Sequence, residues 1–420
     1  MPARHGGPAS ASLSRMRVLR TSADFRLLWL GSSLSLIGDG MTFVALTWLV
    51  LDQPGGTQSL GLLAMCYTLP VFAGGLLTGP LLDRFDKRYV LAADSLVRGA
   101  AMAALPLTAA FGGVPHALPF VVAAIHGLLK MVPLAGFPAA IPDLVPPRDQ
   151  DAANALESIS FSVAGMAGPA LGGLLIGWFG SMSVLVFDAV TYVLFAVAAL
   201  AVRRPLPPAP ATDAGGVPAG ALFSLLRDRV LVATTVAFMA FNVAAGMLTV
   251  TGPWLAKTHL DGGAQALGLL LAALAAGELA GSVLAGSVLA GSVLSGARTA
   301  ARRLVAIAVV QLLAAASFAV VAVAPYVGFL LVGLFSAPMT VWAQSLRMRL
   351  IPPRLRGRGF ALLRTLMQAT PPAGTALATP LLLDGRLVAA AALMAALSGL
   401  PALALLTGRR FLTPSLHNAP

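Results

Sequence analysis

The chain has 420 residues, of which 58% are hydrophobic and only 10% charged, and its mean hydropathy is +0.86. A soluble domain carries about a quarter charged residues, so a water-soluble globular fold is excluded. The formal charge of +12 does not indicate nucleic acid as a partner, because the basic residues fall between apolar runs with no groove-binding element beside them.

The apolar runs are about 20 residues long, the length a helix needs to cross a ~30 Å hydrocarbon core. Lipid offers the backbone no water, so only helices or closed barrels span it. The short segments of alternating polarity that a barrel requires are absent, leaving an all-α membrane protein. Residues 1–24 hold Pro, Gly, Ser and Arg without an apolar core and predict a cytoplasmic tail, not a cleaved signal peptide. Six spans are then expected at 25–51, 59–82, 90–110, 118–141, 152–178 and 180–201. The segment "RRPLPPAPATDAGGVPAG" from Arg203 has no apolar period and predicts a cytoplasmic linker over 202–228. Six more spans follow at 229–255, 265–294, 302–324, 326–349, 359–382 and 386–407, before a second tail at 409–420. Cys66 is the single cysteine, so neither an internal disulfide nor a cysteine metal cluster can form.

Lys and Arg orient these spans. With the N-terminus inside, 24 of the 28 fall in cytoplasmic segments, Lys257 and Arg386 fall outside, and Arg98 and Lys130 lie within spans. This is a strong positive-inside bias, and it predicts twelve helices with both termini in the cytoplasm. The two halves also repeat. "LVPPRDQDAANAL" from Leu144 and "LIPPRLRGRGFAL" from Leu350 lie 206 residues apart (350 − 144), as do "GPALGGLL" from Gly168 and "GTALATPL" from Gly374. "LGLL" recurs at Leu60 and Leu267. Paired prolines stop one helix and restart the next, so the phrases mark equivalent cytoplasmic loops in two six-helix bundles, 25–201 and 229–408. Parallel repeats of this kind point to a transporter built around a cavity between them.

The loop after the second span, "GPLLDRFDKRYVL" from Gly79, resembles the signature of the major facilitator superfamily. It places that motif on Gly79, Asp83, Arg84, Lys87 and Arg88, with Asp86 where glycine is usual. "GMAGPALGG" from Gly165 is similar to the helix-5 signature of drug antiporters, with Gly165, Gly168, Pro169, Gly172 and Gly173 in place. "RLLWLGSSLSLIGDGMTFVAL" in the first span and "FDAVTYVL" in the sixth look like the branch of macrolide and siderophore exporters. The resemblance covers essentially the whole chain. It implies proton-driven efflux across the bacterial cytoplasmic membrane, with proton-coupled uptake as the alternative. The sequence departs from the pattern after the eighth span, where "GSVLSGARTA" from Gly291 has no acid matching Asp83. The pentad AGSVL, starting at Ala280, Ala285 and Ala290, reads as small-residue helix packing.

The chemistry of these residues supports a gated carrier. Asp83 at the end of the second span can cap a neighbouring helix and pair with arginine, and Arg84 and Arg88 extend that gate. For Lys87 a purely topological role is accepted. Asp94 and Arg98, four residues apart, share a helix face and are expected to pair near the inner surface as part of the same lock. Without a Walker motif, ATP cannot drive the cycle directly. Carboxyls deep in the membrane are functional candidates by default: Asp39 lies about 21 Å along the first span and Glu278 about 20 Å into the eighth. These two are the expected proton carriers. Asp188 in the sixth span is less attractive, since that helix backs the bundle. Lys130, with His126 one turn before it, is expected to face the cavity as counter-ion of Asp39 or Glu278, or as anchor for an anionic substrate. Phe241 and Trp342, with Asn242, Gln344 and Gln368, suggest a cavity for a bulky, partly hydrophobic solute. The five histidines are scattered and form no HExxH motif, so an intramembrane enzyme is disfavoured. A channel or receptor is disfavoured for want of a pore filter. No cofactor, metal or nucleic acid is expected, only a small-molecule substrate, protons and the bilayer, and the transporter is expected to be a monomer.

Overall fold

A computed structural model describes residues 17–208, 227–290, 299–351, 363, 366–367 and 369–407. Its elements are helical: α1 (Ala23–Leu51), α2 (Gly56–Thr68), α3 (Pro70–Arg84), α4 (Lys87–Ala110), α5 (Leu118–Leu129), α6 (Met131–Leu144), α7 (Gln150–Ala201), α8 (Arg229–Thr258), α9 (Ala264–Ala290), α10 (Thr299–Val321), α11 (Pro325–Leu350), α12 (Pro371–Leu383) and α13 (Leu387–Thr407). The second of the paired proline phrases, from Pro352 to Gly357, the third pentad after Ala290, and Gln368 lie outside the described residues.

Among the described residues, ten helical segments are long and apolar enough to cross a membrane. Two of them join a pair of helices end to end. Pro70, which has no N–H to donate, separates α2 from α3 within the segment Gly56–Arg84. Lys130 separates α5 from α6, its N–H bonding back only three residues to Gly127. Pro133, just beyond, cannot supply the N–H that would continue the ladder. The longest segment, Pro147–Ala201, has 55 residues, about 80 Å at 1.5 Å per residue and more than twice the hydrocarbon thickness. It breaks at Gly180, with φ 80° and ψ 162°, a conformation essentially reserved for glycine. The sequence predicts the boundary between its fifth and sixth spans at this point.

The chain divides into two compact units. The first holds residues up to Gln53 together with those from Met65 to the linker; the second holds Pro54–Ala64 and the residues after the linker. The stretch Pro54–Ala64, which the sequence places with the first bundle, thus groups with the second, where Gly61 lies against Thr379. In the first unit, Phe25 and Leu28 of α1, Leu91 of α4, Phe137 and Ile141 of α6, and Phe195 of α7 form the buried apolar core.

Close helix approach is repeated at the 206-residue offset. In the first unit α1 lies on the first half of α7: a Cβ on Gly168 would fall 2.7 Å from the Ile37 carbonyl and 2.9 Å from the Gly40 Cα, and one on Gly172 would fall 2.9 Å from the Met41 Cα. In the second unit Gly374 of α12 meets Val243 and Met247 of α8, and Gly246 meets Pro371. Gly246, Met247 and Gly374 each stand 206 positions after Gly40, Met41 and Gly168. Small residues let helix backbones touch in lipid, where dispersion replaces the hydrophobic drive. The same use holds for Gly281 of the first pentad, which packs on Leu334 and Pro338. Gly165, by contrast, faces open space, and Gly173 is buried.

Candidate functional site

The first unit carries a connected group of ionisable side chains in its interior. α4 presents Asp94 and Arg98 one turn apart, and they pair as expected: Arg98 Nη2 and Nε reach Asp94 Oδ2 at 2.5 and 3.1 Å. Arg98 is fully buried, and its remaining nitrogen, Nη1, turns to α1 and binds both oxygens of Asp39 at 3.3 and 3.2 Å. The same nitrogen donates to the Tyr192 hydroxyl at 3.1 Å, and the guanidinium lies 4.5 Å from the centroid of the Tyr192 ring. Tyr192, on the second half of α7, donates its own O–H to Asp39. Asp39 is the only one of these groups that reaches solvent appreciably, its side chain being 16% exposed against 0% for Arg98 and 2% for Asp94.

His126 of α5 extends the group. Its Nδ1 is 3.1 Å from the Tyr192 hydroxyl and its Nε2 is 2.8 Å from the hydroxyl of Tyr67 on α2. The Tyr67 and His126 rings stack at 4.8 Å, and Lys130 Nζ sits 5.2 Å from the Tyr67 centroid. Beside the group, Asp188 is fully buried, accepting from Thr42 and Thr191 hydroxyls. Gly38 makes room for it: any Cβ there would collide with the Asp188 carboxylate.

The arrangement revises several sequence expectations. The pair Asp94–Arg98 does not stand alone; it is joined to Asp39, because Arg98 bridges both carboxylates. The cation on Asp39 is Arg98, whereas the Lys130 ammonium lies over the Tyr67 ring. Asp188, disfavoured in the sequence because its helix backs the bundle, faces α1 and adjoins the centre. Tyr192 and Tyr67 are absent from the sequence expectations. Tyr192 stands four residues after Asp188 and so shares its face, a spacing that points to it.

The loop residues also exchange roles. Asp83 is exposed and makes no hydrogen bond or ion pair among the described residues; Gly79 and Arg84 are likewise exposed. The capping acid is Asp86, which accepts from the Arg88 N–H at 2.9 Å and from its guanidinium, while Leu206 N–H also reaches it. Burial pushes the Asp86 carboxyl up, but the Arg88 hydrogen bonds and charge outweigh this and hold it below its ordinary value. Lys87 does more than set topology: it is buried and binds Asp143 at 3.1 Å and the Pro207 carbonyl.

In the second unit, among the described residues, no hydrogen bond or ion pair joins the expected residues to one another. Glu278 is half-buried on α9, and among the described residues no hydrogen bond or ion pair is found for it. Phe241 packs between Phe238 and Phe318, at 6.2 and 5.9 Å between centroids, as part of the core. Asn242 Nδ2 is occupied by the Met367 carbonyl at 3.0 Å. Trp342 is buried and Gln344 exposed. A pocket of about 410 Å³ lies in the first unit instead, lined by Leu81, Phe85, Tyr89, Val97, Leu129 and Val132 and touching the ionic group only at Asp94.

Helices long and apolar enough to cross lipid, broken by glycine and proline and enclosing a group of ionisable side chains, define the class as a polytopic membrane protein. The family is shown directly: residues 28–375 match the model of the Major Facilitator Superfamily, and the chain belongs to that family. Among curated relatives, it is 30% identical over 153 residues to the multidrug efflux pump Tap of Mycolicibacterium fortuitum, covering 35% of this chain and 37% of the relative. It is 24% identical over 185 residues to macrolide efflux protein A of Streptococcus pyogenes, covering 43% and 45%. The matches thus span less than half the length of these relatives. Among solved structures, peptide transporter POT in complex with sulfate shares the fold with a TM-score of 0.71 at 15% identity, covering 94% of this chain and 96% of that one.

Proposed function

We propose that the chain is a secondary active exporter that moves a bulky, partly hydrophobic small molecule out across the bacterial cytoplasmic membrane in exchange for protons. In this reading twelve spans form two six-helix bundles with both termini in the cytoplasm, the protein works as a monomer by alternating access, and the proton gradient is its sole energy source. The observation that carries the reading is the Asp39 carboxylate, held between a buried arginine and a tyrosine hydroxyl at the edge of solvent. The efflux relatives supply the direction.

Asp39 has what a reversible proton site needs. It is hydrogen-bonded to Arg98 and Tyr192, and its partial exposure sets it at the edge of solvent. When a proton neutralises it, Arg98 keeps Asp94 as a partner, so the buried cation is never left alone, which would be costly. Asp39 can therefore cycle without unfolding the bundle. Glu278 is the second proton carrier proposed from the sequence; without a cation or hydroxyl beside it among the described residues, it ranks behind Asp39. Gly79, Asp83 and Arg84 at the mouth of the loop are assigned to gating, with Asp86 and Arg88 as its structural clasp. Everted membrane vesicles energised by a proton gradient test the reading: probe accumulation should collapse when the pH difference is dissipated, and accumulation indifferent to the gradient refutes antiport.

A further inference from the structure

We propose that Tyr67, His126 and Tyr192 form a proton relay that delivers protons to Asp39. The inference rests on the antiport reading and assigns the path within it. The hydrogen-bond donors are ordered by elimination. The Tyr192 hydroxyl has one proton and gives it to Asp39, while its oxygen receives Arg98 Nη1–H. His126 Nδ1, 3.1 Å from that oxygen, must then be the protonated nitrogen, donating to it. His126 Nε2 is left as an acceptor, and the Tyr67 hydroxyl 2.8 Å away donates to it. Each donor points the same way, from Tyr67 toward Asp39.

One transfer conserves charge at every intermediate residue. Asp39 takes the Tyr192 proton, Tyr192 takes the Nδ1 proton of His126, Nε2 takes the Tyr67 proton, and Tyr67 takes one from a hydronium ion, which leaves as water. The net result is one water-derived proton on Asp39 and a histidine switched from its Nδ1–H to its Nε2–H tautomer, still neutral. Most of the path is dry: His126 and Tyr192 are fully buried and Tyr67 is buried with 9% of its surface left exposed, while Asp39 has 16% of its side chain exposed. Along this dry stretch a proton passes through side chains instead of through water. The surrounding charges suit this. Arg98 and Asp94 on α4 and Asp188 on α7 adjoin Asp39 and Tyr192, and Lys130 after α5 lies over Tyr67. His126 gives up its Nδ1 proton as its Nε2 accepts one, so it works by tautomer exchange and needs no charged imidazolium.

The test is protonation of Asp39 followed by infrared spectroscopy after a rapid pH jump on purified full-length protein in liposomes, with Asp39→Asn identifying the band. Tyr67→Phe and Tyr192→Phe each remove one oxygen and preserve the ring, so folding is retained. Each should slow the Asp39 signal about 100-fold without changing its final amplitude. Nitrogen NMR of labelled histidine should show His126 as the Nδ1–H tautomer before the jump. Unaltered rates in both variants overturn the relay while leaving antiport intact. An Asp39 band that never responds to pH, together with flux indifferent to the gradient, overturns antiport and the relay with it.

Discussion

Arg98→Met removes the cation that bridges the centre and keeps most of the side-chain volume. Four hydrogen bonds to Asp94 and Asp39 and one to Tyr192 are lost together. The consequence differs between the two acids. Asp39 retains Tyr192 and its contact with solvent. Asp94 retains neither, because its side chain is 2% exposed and its Oδ1 is already buried without a hydrogen-bond partner. Removing one member of a buried ion pair costs about 3–5 kcal/mol because the other is stranded, which in a bundle of this size lowers the melting temperature by on the order of 10 °C. The cost should be recovered by removing the stranded acid as well. Asp94→Leu suits the site, since Asp94 already borders the apolar pocket formed by Val90, Val97, Leu129 and Val132, and replacing a buried ion pair by apolar residues is often neutral or stabilising. Thermal unfolding of the purified variants in one detergent reads both effects. A single variant as stable as the parent, or a double variant no more stable than the single, would refute the reasoning. Transport separates stability from function, for the double variant should melt normally yet fail to couple protons.

Glu278→Gln is expected to leave the pH dependence of flux intact, whereas Asp39→Asn abolishes it, as proton-pumping traces in vesicles will show. Gly168→Leu should prevent accumulation of folded protein, because its Cβ meets the Ile37 carbonyl and Gly40, while Gly165→Leu, in open space, should accumulate normally; membrane expression levels decide this. For Asp86, whose folded carboxyl is held below its ordinary value, the stabilisation is present above the unfolded value of about 4 and fades as pH falls through the lower folded one. The stability gap between parent and Asp86→Asn should therefore be full at pH values near ~7 and close in acid, and a gap independent of pH counts against the clasp. Asp83→Asn should fold and insert yet slow transport, and normal rates in that variant would reduce the loop to a topology signal.

The parts of this protein that are legible in its sequence are those written in local pattern. Span length, charge bias and the paired proline phrases are properties of a few neighbouring residues, and the spacing of Asp94 and Arg98 is one turn of helix. The ionic group around Asp39 is different in kind. Asp39 and Arg98 are 59 positions apart, and Tyr192 lies 153 from Asp39; no period links them. A tyrosine in an apolar run carries no mark of its partner, and only the packing of α1, α4 and α7 reveals one. Gly38 is instructive, since beside Asp39 it suggests backbone flexibility, while in the fold it is a socket for the Asp188 carboxylate. The repeat itself sharpens the distinction. At the offset that superposes Gly40, Met41 and Gly168 on Gly246, Met247 and Gly374, the residues Asp39, Asp188 and Tyr192 fall on Ala245, Met394 and Ser398. Helix contacts that any bundle needs are written twice, and the ionisable chemistry is written once. If the proposed antiport holds, protons need bind only at the Asp39 centre, and Glu278, which has no hydrogen bond or ion pair among the described residues, is the carboxylate that should be dispensable.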